Sequence, residues 1–248
     1  MLMDLIKNEF IKEKRNLVIL FVLMIPIGVS ALLVFDFLIR YESWLLPQAT
    51  LKGLTSWQVL VKEQRILYFN DNMPLFASLI LVTLFESEYK NNAWTFLLTK
   101  PIKRISILNA KVIVAVFYSI IMLLLNVFSL IIVGLIFKFK EPIPWRFFII
   151  MFSIQLISTL GIMTIHLFIN LKNKNLLISI GVAAVLSALS SNIYHSETFI
   201  RNINPYGFSL FSITQGRNEI TIVLIISAAI LIVGSSLVRK YFENKEIY

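Results

Sequence analysis

Cysteine is absent from this 248-residue chain, so disulfide bonds and thiolate metal sites are excluded. Charged residues are scarce, at 15% of the chain, against about 25% in a typical soluble protein. None of the eight glycines precedes a lysine, which excludes the phosphate-binding loop G-x-x-x-x-G-K-[ST]. The sequences H-E-x-x-H and G-x-S-x-G, typical of zinc peptidases and serine hydrolases, do not occur either. The chain therefore carries none of these motifs for ATP binding or hydrolysis.

Apolar residues are abundant instead, at 58% of the chain, compared with about 45–50% in soluble domains. A soluble fold cannot bury this much apolar surface, so the composition indicates an integral membrane protein built from α-helices. The net charge of +9 fits basic loops that face the cytoplasm and anionic lipid. It gives no reason to expect nucleic acid as a partner.

Six apolar stretches are long enough to cross a bilayer, for which a helix needs about 20 residues. The predicted spans are 17–39, 68–85, 112–137, 147–169, 176–194 and 220–238, and all 23 Lys and Arg residues lie outside them. An even number of spans places both termini on one side, and the segments on that side hold 14 of the 23 basic residues. Because basic loops favour the cytoplasm, residues 1–248 are predicted to form one polytopic, all-α domain with both termini inside.

Three segments outside the spans have an amphipathic character. In residues 1–16, apolar side chains recur at helical spacing, which predicts a short helix on the inner leaflet; a frayed polar tail is the alternative. Residues 40–67 mix tryptophan and leucine with charges, as in a half-submerged helix. Residues 191–219 are too apolar for a free loop and suggest a re-entrant or interfacial piece shielded by protein.

Two acidic side chains lie near the outer ends of predicted spans, Asp36 in the first and Asp71 in the second. Intramembrane carboxylates are rare and need an explanation. These two could pair as a catalytic dyad or form part of a cation path. Alternatively, they reach to the interface or form structural salt bridges with Arg40 or Arg65.

The fourth span carries a polar face of Gln155, Ser158 and Thr159, which recur at i, i+3 and i+4. This face could line a substrate route or supply hydrogen bonds between helices. His166, near the inner end of the same span, is expected to make an interhelical hydrogen bond, and His195, in an outer loop, is expected to be solvated.

The segment 86–111 is too polar for a bilayer and too apolar for a passive loop. In order, it carries Glu86, Glu88, Trp94, Thr95, Leu97, Leu98, Pro101, Arg104 and Lys111. This order resembles the cytoplasmic loop between the second and third spans of type 2 ABC exporter permeases. The form with Trp in place of Gly is most similar to permeases of bacteriocin (lantibiotic) self-immunity transporters. The opening Glu9-x-x-Lys12-x-Lys14-Arg15 is similar to that group too.

The resemblance implies a half-transporter without an ATPase of its own. In such exporters two permeases, identical or paralogous, sit on two separate ATP-binding subunits, so ATP and magnesium would be bound by the partner and no cofactor by this chain. The loop would form the coupling helix that docks on the ATPase through Glu86, Glu88, Trp94, Thr95, Leu97, Leu98, Pro101 and Arg104. A buried aromatic anchor among charges is typical of interface hot spots.

The expected function is therefore ATP-driven export of amphipathic, toxin-like peptides across a bacterial cytoplasmic membrane, conferring self-immunity. The cargo class follows from the resemblance alone. Two alternatives stay open at this point. One is an intramembrane enzyme that uses Asp36 and Asp71, and the other is a membrane sensor subunit that binds a peptide without moving it.

Overall fold

A computed structural model of the chain describes residues 2–13, 17–90, 93–99, 101–196 and 198–244. Within these residues the fold is entirely helical, without a strand. The helices are α1 Leu2–Glu13, α2 Val18–Arg40, α3 Leu46–Leu51, α4 Ser56–Ile66, α5 Met73–Lys90, α6 Ala93–Thr99, α7 Arg104–Ile136, α8 Trp145–Lys172, α9 Leu177–His195, α10 Ile200–Ile203, α11 Phe211–Thr214 and α12 Arg217–Asn244. A π-turn, Tyr41–Leu45, joins α2 to α3, and a 3₁₀ helix, Pro205–Leu210, precedes α11.

Five helical segments in the described part of the chain are long and apolar enough to cross a membrane. They are Val18–Leu51, Arg104–Ile136, Trp145–Lys172, Leu177–His195 and Asn218–Asn244. These five confirm five of the predicted spans as apolar helices. The multi-pass, all-helical character of the protein is thus established.

The second predicted span in chain order, 68–85, is not confirmed. Its helix, α5, begins only at Met73 and has 18 residues, of which the last five include Glu86, Glu88 and Lys90. The apolar part that remains is too short to cross a bilayer alone. Instead α5 is largely buried inside the bundle, where it packs against α8 and α9.

The third predicted span also differs, because α7 begins at Arg104, ahead of the predicted start at residue 112. The sequence pattern assigned Lys111 to a loop because a lone charge interrupts the apolar run. In the structure Lys111 lies inside the helix and is fully buried. Its charge is compensated by residues distant in sequence, as described below.

The segment 40–67 forms a series of short helices rather than one half-submerged helix. Thr55 and Gln58 form a capping box at the start of α4, in which the Gln58 backbone N–H donates to Thr55 Oγ1 over 3.2 Å. Trp57 and Leu60 then pack into the core. The segment 191–219 is drawn into the bundle as well, because Phe208 and Phe211 are buried between α8, α9 and α12.

Helix α8 is the centre of the bundle and contacts α5, α7, α9 and α12. The last helix, α12, packs mainly on α8, and only 11% of the residues in its apolar stretch are buried. Close approach of the two helices depends on Gly234, where an added Cβ would lie 2.4 Å from Thr164 Oγ1. Small residues at such contacts are the usual means of helix association in membranes.

A second close approach, at Gly134 of α7, gives a prediction about stability. A Cβ at Gly134 would lie 2.3 Å from the Trp57 ring, which is held by a 3.1 Å hydrogen bond from its Nε1 to the Glu141 carbonyl. Gly134→Ala should therefore lower the free energy of unfolding by about 1–3 kcal/mol. The measurement is thermal unfolding in detergent. Gly28→Ala is the matched control, because its added Cβ has no neighbour within 4 Å, and an equal melting temperature for the two variants would contradict the prediction.

Candidate functional site

Four charged side chains form a closed ring at the end of the bundle that carries α1 and α6. Lys12 Nζ lies 2.8 Å from Glu9 Oε1 and 2.9 Å from Glu88 Oε1. Lys111 Nζ lies 2.7 Å from Glu9 Oε2 and 2.9 Å from Glu88 Oε2. Each carboxylate thus accepts from both lysines, and each lysine donates to both carboxylates. We call these four residues the ion ring.

The ion ring is almost entirely removed from solvent. The side chains of Lys111 and Glu88 are 0% and 1% exposed, and only Lys12 reaches water, at 37%. Lys111 makes a third hydrogen bond, of 2.9 Å, to the Leu84 carbonyl, so all three of its N–H donors are used. Buried charges are tolerated only when paired and hydrogen-bonded in this way.

The protonation states of the ring follow from its geometry. Burial would raise the pKa of the Glu88 carboxyl, but the ammonium groups of Lys111 and Lys12 outweigh burial and hold that pKa below its ordinary value. Burial would lower the pKa of Lys12, but Glu88 and Glu9 raise it above its ordinary value. The stabilisation from Glu88 is lost as pH falls through its lowered pKa, and that from Lys12 as pH rises through its raised pKa. Both groups are therefore charged at neutral pH.

The ion ring joins three helices that are far apart in the sequence. Glu9 and Lys12 lie on α1, Glu88 on the last turn of α5, and Lys111 on α7. Helix α1 also packs on α7 through Phe10, whose ring centroid is 5.1 Å from that of Phe117. A displacement of α1 would therefore be transmitted to α5 and α7 through charge pairs that resist separation.

The short helix α6 is fixed next to the ring by Trp94. The indole is 8% exposed, and its ring centroid lies 5.9 Å from Phe85, 6.0 Å from Tyr89 and 5.7 Å from Phe242 of α12. Phe85 in turn lies beneath Lys111, whose Nζ is 5.5 Å from the ring centroid. The apolar surface of Trp94 is thus largely covered within the chain, and its predicted contact with a partner stays a prediction.

The other predicted coupling residues divide into exposed and buried positions. Glu86 forms an ion pair with Lys90 at the surface, Pro101 is exposed, and Arg104 is the first residue of α7. Leu97 is half-buried against the core beside Trp94. The side chains of Thr95 and Leu98, and residues Lys14 and Arg15, lie outside the described part of the structure.

The predicted polar face of α8 lies inside the chain. Gln155 Nε2 donates to Asn70 Oδ1 over 2.6 Å, which fixes α8 to the turn before α5. Ser158 donates to the Ile154 carbonyl of its own helix, and Thr159 is buried beside it. These contacts favour the prediction of hydrogen bonds between helices at Gln155.

The two intramembrane acids have different surroundings. Asp36 Oδ1 accepts from Arg40 Nε over 2.6 Å, one of the salt bridges considered from the sequence, and Arg40 also binds Glu63 over 2.8 Å. Asp71 is buried in the turn before α5. Within the described residues no hydrogen bond joins Asp36 to Asp71, and no group of three or more acidic or histidine side chains could hold a metal ion.

His166 makes the predicted interhelical contacts: its Nδ1 lies 2.9 Å from Ser179 Oγ of α9, and its Nε2 lies 3.2 Å from the Tyr206 hydroxyl. The expectation that His195 is only solvated is wrong, because its Nε2 lies 3.0 Å from Arg65 Nη2. That contact crosses 130 positions in the sequence, so no local pattern could indicate it.

Comparison with known proteins gives one match. The profile of the family described as "ABC-2 family transporter protein" matches residues 5–190, about three quarters of the chain. The matched range contains all four residues of the ion ring and the whole of α6. No curated protein and no solved structure matches the chain significantly.

Proposed function

This chain belongs to the ABC-2 family of transporter proteins, and from that premise we propose that it is the permease of an exporter for amphipathic, membrane-active peptides. The family is a membrane transport component and not itself catalytic, and it generally works with an ATP-binding partner. ATP and magnesium would be bound there, since this chain has no phosphate-binding loop. We place the permease in a bacterial cytoplasmic membrane, paired with an identical or paralogous permease and two ATP-binding subunits.

The ion ring is the observation that supports this proposal. A permease driven by a separate ATPase subunit needs a rigid connection between the surface that contacts the ATPase and the helices that move. Through Glu88 and Lys111, α1 is bonded to α5 and α7 at contact distances of 2.9 Å or less. Rigid-body shifts of packed elements are the usual means by which local events become global transitions.

The docking surface would be the exposed part of the segment 86–104, next to α1. Trp94 holds this segment from beneath, so among the described residues the surface offered to a partner includes Glu86, Lys90, Pro101 and Lys103. We therefore expect the neighbouring residues, rather than the Trp94 indole, to contribute most of the binding energy, while the indole fixes their position.

A paired substitution tests the docking surface. Glu86→Arg with Pro101→Arg changes its charge and shape without touching the ion ring or Trp94, and should weaken co-purification of the ATP-binding subunit roughly tenfold. The permease is co-expressed with a candidate ATP-binding subunit from the same genome, and the bound ATPase is quantified after pull-down. The matched control is Glu42→Arg with Pro47→Arg, which alters an exposed glutamate and an exposed proline at the opposite end of the bundle.

Two results would contradict this assignment. Equal co-purification of the two double variants would exclude the segment 86–104 as the docking surface. Absence of any ATPase with the unaltered permease would contradict the partner itself. The cargo is tested separately in proteoliposomes: a cationic amphipathic peptide should raise ATP hydrolysis and leave the vesicles' inner volume. Stimulation without movement of the peptide would favour the sensor alternative.

A further inference from the structure

At the end of the bundle opposite the ion ring, two arginines surround one tyrosine ring. Arg65 Cζ lies 4.7 Å from the Tyr194 ring centroid, and Arg201 Cζ lies 5.7 Å from it. Arg65 is in the last turn of α4, Tyr194 in the last turn of α9, and Arg201 in α10. Helix α5 starts near this end and reaches Glu88 after about 22 Å of helical rise, so the cluster lies at the predicted outer face.

The charges of this cluster do not balance. Arg201 forms an ion pair with Glu219. Arg65 has no carboxylate within ion-pair distance among the described residues; its Nη2 instead contacts His195 Nε2 at 3.0 Å. A guanidinium has no acceptor atom, so Arg65 is the donor in this contact and His195 Nε2 the acceptor. Among the described residues no carboxylate compensates the guanidinium of Arg65, which is held in place by its contacts with Tyr194 and His195.

The surroundings of Arg65 are apolar and exposed. Ile66 and Tyr68 follow it in the chain and are 61% and 60% exposed, and Phe199, next to α10, is 72% exposed. Exposed aromatic and aliphatic side chains beside a fixed arginine are what the boundary between lipid headgroups and acyl chains requires. We call Ile66, Tyr68 and Phe199 the apolar collar. A soluble anion has no apolar part that could pack against these side chains.

We propose that Arg65 binds the phosphate of an anionic phospholipid in the leaflet at this face, with Ile66, Tyr68 and Phe199 against the start of its acyl chains. The planar guanidinium matches the phosphate oxygens in a two-pronged geometry. Its stacking on Tyr194 and its hydrogen bond to His195 orient it before the lipid arrives, which lowers the entropy lost on binding. This site is independent of the proposed transport function.

The test is a lipid titration of the full-length permease in detergent, followed by native mass spectrometry. Phosphatidylglycerol should bind more tightly than phosphatidylcholine. Arg65→Gln should weaken phosphatidylglycerol binding about tenfold, because one charge-assisted pair is lost. The matched control is Arg146→Gln, which removes an exposed arginine beside an exposed tryptophan, Trp145, at the same end of the bundle. Phosphatidylglycerol binding by this variant should be unchanged.

Other outcomes would overturn the proposal. Equal phosphatidylglycerol binding by Arg65→Gln and the unaltered protein would exclude the site, and equal losses in both arginine variants would indicate non-specific surface charge. Competition by inorganic phosphate at the same concentration as the lipid would indicate a free-anion site. If Arg65→Gln does not fold, Phe199→Ser tests the proposal instead. This variant keeps every charge and removes an exposed apolar side chain. Unchanged phosphatidylglycerol affinity in Phe199→Ser would contradict the role of the apolar collar.

Discussion

Lys111→Met should lower the free energy of unfolding by about 3–5 kcal/mol, the expected range for breaking a buried ion pair by removing one partner. Methionine matches lysine in length, so the loss comes from charge rather than volume. The carboxylates of Glu9 and Glu88 would remain buried, each with one of its two cations gone. Helix α1 should detach first, because its glutamate is the most easily returned to water.

Thermal unfolding in detergent and protease cleavage within α1 measure this effect. Lys90→Met is the matched control, since Lys90 pairs with Glu86 at the surface and such pairs contribute roughly 1 kcal/mol or less. Adding Glu9→Gln and Glu88→Gln to Lys111→Met should restore most of the stability, because no carboxylate is then buried without its cation, and Lys12, the one charge left in the ring, reaches water. A single variant as stable as the Lys90 control would show that the ring is not closed as described.

Trp94→Ala has the second largest expected effect, and it is local. Truncating a buried tryptophan costs about 3–5 kcal/mol, but here the lost contacts, to Phe85, Tyr89 and Phe242, are those that hold α6. Amide hydrogen exchange in Ala93–Thr99 should therefore speed up at least about a hundredfold. Exchange in α8 should not change.

Trp44→Ala is the control, because that tryptophan is exposed in the π-turn that follows α2. Trp94→Phe should keep most of the protection, since an aromatic ring still fills the site. Unchanged exchange in α6 after Trp94→Ala would mean that the indole does not anchor the helix. If that variant still lost its coupling to the ATPase, the loss would have to come from a direct contact between Trp94 and the partner.

Hydropathy was sufficient to predict an all-helical membrane protein and the position of five apolar spans, because bilayer thickness sets the length of a spanning helix. It failed at α5, where a short apolar stretch is buried by protein instead of lipid. Lys111 shows the same limit in a single residue. Because it is charged, Lys111 was placed in a loop outside the spans. A local pattern cannot show that this charge is paired, because its partners Glu9 and Glu88 lie 102 and 23 positions away.

The candidate site was located by its motif but not by its geometry. The pattern around Trp94 and Leu97 drew attention to the segment that packs beside the ion ring, and Glu88 was among the residues chosen from it. The sequence could not show that Glu88 and Trp94 face inward, because orientation depends on α1 and α12, which lie at opposite ends of the chain. The coupling role of all these residues, including Glu86 and Pro101 at the surface, stays a prediction.

Helix α12 is longer than the hydrocarbon core of a membrane is thick. Its 28 residues span about 42 Å, more than the hydrocarbon thickness of about 30 Å. It connects Glu219, paired with Arg201 at one face, to Phe242, against Trp94 at the other. Because few residues of its apolar stretch are covered by the rest of the chain, a thinner bilayer should tilt it further. The protein thus has a long helix whose tilt depends on membrane thickness and whose C-terminal part contacts Trp94 of α6.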